Sequence, residues 1–215
     1  MNAIVVYIKL LVAAELLAAV TGFVTWHKWK HSYFKWLVIY LGIIAFMDIV
    51  YYTVYKFHYL DAAGIIKTIQ PAIEILFISW FFYKTLAAPA SKLPFAGAAF
   101  YLLALLLEKT MLKNNAYYFQ SLSYTVGTLF ILLYLIIFFT QLVRSKNIVT
   151  FKQLTIFWVA CGMLVFYLGT FPFYGLYNEL AKDIDLFIAV AWVATSLNYC
   201  MYLLFTAGFI WGKPH

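Results

Sequence analysis

The stretch YYFQSLSYTVGTLFILLYLIIFFTQLV, residues 117–143, decides what kind of molecule this chain forms. It contains no Asp, Glu, Lys or Arg, and from Phe130 to Phe139 it consists of Leu, Ile and Phe apart from Tyr134. A helix needs roughly 20 apolar residues to cross a hydrocarbon core about 30 Å thick. The stretch therefore predicts a membrane-spanning helix.

Similar apolar segments occupy nearly the whole chain. Of its 215 residues, 66% are hydrophobic and 11% are charged, compared with about 45–50% and about 25% in soluble domains. This composition excludes a soluble globular domain, a disordered chain and a disulfide scaffold. The predicted fold class is all-α, a polytopic membrane protein with one seven-transmembrane helix bundle over residues 1–215. Its spans are residues 3–26, 34–57, 63–86, 94–112, 117–143, 152–177 and 185–211.

The distribution of Lys and Arg predicts the orientation of this bundle, because cytoplasmic loops carry an excess of both residues. The first, third and fifth connections and the C-terminus hold the larger group, which is Lys28, Lys30, Lys35, Lys84, Lys92, Arg144, Lys146, Lys152 and Lys213. The even-numbered connections hold Lys56, Lys67, Lys109, Lys113 and Lys182. We therefore expect the N-terminus outside and the C-terminus in the cytoplasm. Basic residues at span ends also meet anionic lipid headgroups, so the formal net charge of +7 indicates the lipid bilayer and no nucleic acid as partner.

Three carboxylates lie inside predicted spans, namely Glu15 in the first, Asp48 in the second and Glu74 in the third. An ionisable residue in a bilayer is costly unless it is paired or hydrated, so each is a candidate functional residue. Lys67 and Gln70 share a helix face with Glu74, because the three are spaced i, i+3 and i+7. Lys67 is thus a candidate to neutralise one of the acids.

Polar side chains converge on one level of the predicted bundle. At about 1.5 Å per residue, Asp48 and Asn198 lie roughly 13–20 Å from the outer ends of their spans. The inner halves are mostly Leu, Ile, Phe and Val, which predicts a cavity open to the outside and closed toward the cytoplasm. The alternative is that the polar groups only link helices. The candidate ligand-binding residues are Glu15, Asp48, Tyr52, Lys67, Gln70, Glu74, Tyr124, Trp192 and Asn198.

The sequence contains no motif typical of a catalytic site or a cofactor site. His27 and His31 have helical i, i+4 spacing, but no third ligand is near them, so we expect no metal site. Cys161 and Cys200 fall inside apolar spans and are interpreted as core residues. The seventh span has no lysine, which a retinal Schiff base would require. We expect a protein that is not an enzyme and that holds no cofactor.

Two resemblances to known families bear on function. Asp48, Pro172 and the pair Asn198-x-x-x-Tyr202 loosely resemble G-protein-coupled receptors, but the arginine motif ending the third span and the extracellular disulfide are missing. The segments FYLGTFPFYG (166–175), MYLLFT (201–206) and FIWGKP (209–214) resemble an uncharacterised family of small bacterial seven-helix membrane proteins. This second resemblance implies a stand-alone bundle in a bacterial inner membrane, working with a separate signalling partner.

Three functions are consistent with these features. The first is a sensor or receptor-like subunit that takes a small ligand or ion from the periplasmic side and signals through a cytoplasmic or membrane partner. The second is a small transporter or proton- or cation-coupled carrier that uses Glu15, Asp48 and Glu74 as ion sites. The third is a structural subunit of a membrane complex, in which the polar groups join helices. We favour the first.

Overall fold

The structure is a computed structural model that describes residues 2–111, 119–145 and 150–213, without the side chains of residues 2–11, 60, 61, 67 and 111. Over these ranges the chain is helical, as the sequence predicts. In chain order the helices are α1 (Asn2–Val24), α2 (Trp26–Trp29), α3 (Phe34–Lys56), α4 (Leu60–Thr85), α5 (Leu93–Met111), α6 (Ser121–Arg144), α7 (Thr155–Gly175), α8 (Tyr177–Leu180) and α9 (Ile184–Trp211).

The long helices have the length and composition of membrane spans. Within the described ranges, six are long and apolar enough to cross a membrane, namely α3 to α7 and α9. The part of α1 whose side chains are described, Val12–Val24, is apolar but shorter. The seven predicted segments all overlap long helices, with shifted ends. The predicted fifth span begins too early, because Phe119 and Gln120 are not helical, and the predicted sixth includes a separate 3₁₀ turn, Phe151–Gln153.

The start of α6 is fixed by a carboxylate from the preceding helix. The Glu108 side chain at the end of α5 is buried, and its two oxygens accept the backbone N–H groups of Leu122 at 3.0 Å and Ser123 at 2.9 Å. The first N–H groups of a helix have no partner inside it, and a negative charge there is further stabilised by the helix dipole. Glu108 therefore has a structural role.

The long helices close into a ring in chain order. Each packs on the next, from α1 on α3 through to α7 on α9, and α9 returns to α1. Helices α4 and α6 also touch directly, so α5 lies outside this contact. The outer face of α5 is apolar and exposed, with Leu102, Leu103, Leu106 and Leu107 all more than two-fifths accessible. Such a continuous apolar surface is typical of a lipid-facing helix.

A cluster of aromatic rings fills one end of the ring of helices. Trp29, Phe34, Phe81 and Phe209 are each 0% exposed, and we call these four residues the aromatic plug. The rings of Trp29 and Phe209 lie 5.7 Å apart and those of Phe34 and Phe81 lie 5.6 Å apart, both pairs edge to face. This geometry is favourable for aromatic pairs. The plug closes the end at which α3 begins and α9 ends.

Candidate ligand-binding cavity

A cavity of about 630 Å³ occupies the other end of the bundle. Its walls come from α1, α3, α4, α6, α7 and α9. The cavity reaches the surface beside Ala181 and Ile184, which are exposed where α9 begins. Its floor includes Ile78 and Phe205, each about one helical turn from a plug residue. We call the Ala181–Ile184 side the open end.

The three predicted acids all line this cavity, and each has a neutral hydrogen-bond donor. Tyr202 on α9 donates its hydroxyl to Glu15 Oε1 at 3.0 Å. Gln70 Nε2 on α4 donates to Asp48 Oδ1 at 2.8 Å. Glu15 and Asp48 are therefore held in place by donors that are themselves neutral.

Glu74 is held by two tyrosines. The Tyr167 hydroxyl of α7 donates to Glu74 Oε1, and the Tyr124 hydroxyl of α6 lies 3.5 Å from the same oxygen. The acid on α4 is thus tied to two further helices. These two contacts from different helices fix where the Glu74 side chain points.

Two acid oxygens remain without a partner among the described residues. They are Glu15 Oε2 and Asp48 Oδ2, both shielded from solvent. Glu15 is 2% exposed and Asp48 is 8% exposed, and the two carboxyl groups lie within hydrogen-bonding reach of each other across α1 and α3. Among the lining residues whose side chains are described, none is Lys, Arg or His. The described part of the site is therefore rich in acceptors of hydrogen bonds and contains no positively charged side chain.

Most of the predicted site residues meet at this cavity. Glu15, Asp48, Gln70, Glu74, Tyr124, Trp192 and Asn198 line it. Tyr52 does not, and its neighbour Tyr51 lines the cavity instead. Successive residues point about 100° apart around a helix, so the sequence identified the correct turn of α3 and the wrong face. Lys67 lies on α4, but its side chain is outside the described residues.

Three cavity tyrosines are not among the predicted site residues, and two of them, Tyr167 and Tyr202, hold acids. Tyr40, Tyr167 and Tyr202 all line the cavity. A weak signal existed for each, because the tripeptide Tyr-Leu-Gly occurs at residues 40–42 and again at 167–169, and Tyr202 follows Asn198 at i+4. The two Tyr-Leu-Gly tyrosines face the cavity from α3 and α7.

The hydroxyl groups on the same level mostly bond within their own helix. Thr170 donates to Phe166 O at 2.7 Å and Thr195 donates to Ala191 O at 3.0 Å. Ser121 is different, because its hydroxyl lies 2.9 Å from Tyr174 O and so joins α6 to α7. Of these three hydroxyl groups, only that of Ser121 links two helices.

The described part of the chain contains no cluster of three or more His, Cys, Asp or Glu side chains arranged to hold a metal ion. Cys161 and Cys200 are free thiols. The described walls of the chamber are acidic and aromatic. Comparisons with protein-family models, with curated proteins and with solved structures find no match to this chain.

Proposed function

We propose that this chain is a receptor-like subunit of a bacterial inner membrane, a seven-helix bundle that binds a small molecule and signals through a separate protein. In this proposal α1, α3 to α7 and α9 are the seven spans, and the open end faces the periplasm. The basic connections then lie in the cytoplasm, as the excess of Lys and Arg predicts. The resemblance to small bacterial seven-helix proteins agrees with this placement.

The observation that carries the proposal is the difference between the two ends of the bundle. A chamber of about 630 Å³ with three acids lies at one end, and the aromatic plug fills the other. Cavities of this volume are typical of small-molecule sites. A chamber closed at one end suits a ligand that enters and leaves on the same side, as in a receptor.

A binding assay tests this proposal. The purified protein is heated in detergent with a panel of water-soluble amines, alcohols and carboxylates, alongside the variant Asp48→Asn. We expect at least one class of compound to raise the melting temperature of the native chain. At a ligand concentration of 100 Kd, binding should increase the free energy of unfolding by about 2.7 kcal/mol. The variant should respond less. A panel without effect on either protein would contradict the proposal.

A carrier is the second candidate, and the unpartnered oxygens of Glu15 and Asp48 favour it. Acids inside a membrane bundle often serve as proton or cation sites. Proteoliposomes separate the two functions. A receptor should bind its ligand without net flux, whereas a carrier should take up protons or the ligand and should lose this uptake in Asp48→Asn.

Reporter fusions test the orientation. A reporter placed in the connection between α2 and α3, residues 30–33, should be cytoplasmic, and one between α7 and α9, residues 181–183, should be periplasmic. The opposite pattern at either position would place the open end in the cytoplasm and remove the basis for an external ligand.

A further inference from the structure

We propose that the ligand of this cavity is an organic cation, such as an alkylammonium or quaternary ammonium compound. This inference rests on the proposed binding function and specifies the ligand's chemistry. Three features of the site carry it: its three acids, whose described hydrogen-bond donors are neutral, its aromatic walls and its volume.

The acids call for a positively charged occupant. Glu15, Asp48 and Glu74 converge on one chamber, and their described hydrogen-bond donors are the neutral side chains of Tyr202, Gln70, Tyr167 and Tyr124. Glu15 Oε2 and Asp48 Oδ2 are buried without a donor among the other described side chains, and these two carboxyl groups lie within hydrogen-bonding reach of each other. Two neighbouring carboxylates in a poorly solvated site repel each other, so a cation between them relieves both the repulsion and the missing hydrogen bonds.

The walls favour an organic cation over an anion or a neutral polar molecule. Tyr40, Tyr124, Tyr167, Trp192 and Tyr202 all line the chamber. The face of an aromatic ring carries partial negative charge and attracts an ammonium group, most strongly where water is excluded. An anion would meet both the carboxylates and the negative ring faces.

The volume favours an organic molecule over a bare metal ion as the occupant. A chamber of about 630 Å³ is in the range of drug-sized ligands, about 300–1,000 Å³. The described residues also provide no three-ligand metal cluster. A molecule with a cationic group for the acids and an apolar body for the rings and for Ile78, Met163 and Phe205 would fill the space.

Isosteric probes of different charge test this inference. The purified full chain is titrated with choline and with 3,3-dimethylbutan-1-ol, which has the same shape without the charge. A second set is 2-phenylethylamine, 2-phenylethanol and phenylacetate. Tryptophan fluorescence and melting temperature report binding, and NaCl at equal ionic strength controls for salt. We expect the two cations to bind and their neutral and anionic counterparts to have no effect.

Variants place the binding in the cavity. Asp48→Asn should weaken binding of the cations by about thirtyfold or more, because it removes one partner of a buried charge pair. Asp185→Asn is the matched control, since Asp185 is exposed in the first turn of α9 and should leave binding unchanged. If Asp48→Asn does not fold, Glu74→Gln replaces it, with a loss of affinity again expected.

The outcomes separate the two proposals. Equal or stronger binding of the alcohols or of phenylacetate would overturn the cation inference and leave the binding function standing. Cation binding that Asp48→Asn and Glu74→Gln do not weaken would also overturn it. Absence of any effect from all five probes would overturn the cation inference, and the wider panel of compounds described above would then decide on the binding function.

Discussion

The variant Tyr202→Phe tests whether the tyrosines hold the cavity acids as the structure places them. Tyr202 donates its hydroxyl to Glu15 Oε1 at 3.0 Å, and its ring packs edge to face on Phe205 with centroids 5.9 Å apart. Phenylalanine keeps the ring and removes only the donor. Glu15 Oε2 already lacks a described partner, so the variant leaves neither oxygen of this buried acid with a described donor.

The magnitude follows from the energy of such bonds. A hydrogen bond to a charged group contributes about 1.5–3 kcal/mol, and one between neutral groups about 0.5–1.5 kcal/mol. We expect Tyr202→Phe to lower the free energy of unfolding by about 1.5–3 kcal/mol if Glu15 is ionised. For a chain of this length that corresponds to a fall of roughly 3–12 °C in Tm, measured by thermal unfolding in detergent.

Tyr199→Phe is the matched control, because it is the same substitution on the same helix. The Tyr199 hydroxyl is shielded and has no partner among the described residues, so its removal should leave Tm unchanged or raise it slightly. Equal shifts for the two variants would refute the reasoning. An unchanged Tm for Tyr202→Phe would show that the hydroxyl does not support Glu15.

Two further substitutions test the fold. Glu108→Ala removes the acceptor of two backbone N–H groups at the start of α6 and should lower the free energy of unfolding by about 2–4 kcal/mol. Lys109→Ala, at the exposed neighbouring residue, is the control and should change it little. Equal Tm values for the two variants would contradict the role of Glu108 at the start of α6. At Gly162 an added Cβ would lie 3.0 Å from Met201 O on α9, so Gly162→Val should destabilise by about 1–3 kcal/mol. Gly175→Val, where the nearest atom is 3.5 Å away, should be tolerated, and a larger loss of Tm there than at Gly162 would contradict the packing of α7 on α9.

The sequence predicts the position of a residue along a helix better than the direction of its side chain around the helix. Membrane-spanning helices can be predicted from the sequence because a long apolar segment is enough to identify them. The depth of Asp48 in the bundle follows from counting residues along its span. Rotation about a helix axis is harder, because a one-residue difference turns a side chain by about 100°. This is why Tyr51 and not Tyr52 lines the cavity.

The partners of the acids depend on contacts between helices far apart in the chain. Tyr167 and Tyr202 meet Glu74 and Glu15 across 93 and 187 residues, and no local pattern encodes such pairing. Tyrosine is also common where membrane helices meet the interface, so its presence near span ends predicts an anchor as readily as a hydrogen-bond donor. The role of Glu108 was also hidden, since the backbone N–H groups that donate to it lie on the next helix.

The proposed function requires that the cavity opens to the periplasm, and cysteine labelling tests this most directly. Cys161 and Cys200 are first replaced by Ser, and a single cysteine is then introduced as Ala191→Cys in the cavity wall or as Ala160→Cys at a position with 0% exposure. Intact cells are treated with a membrane-impermeant methanethiosulfonate reagent. We predict that Ala191→Cys is modified and that Ala160→Cys is not. Modification of Ala191→Cys only in inside-out vesicles, or equal labelling of both positions, would contradict an outward-facing cavity.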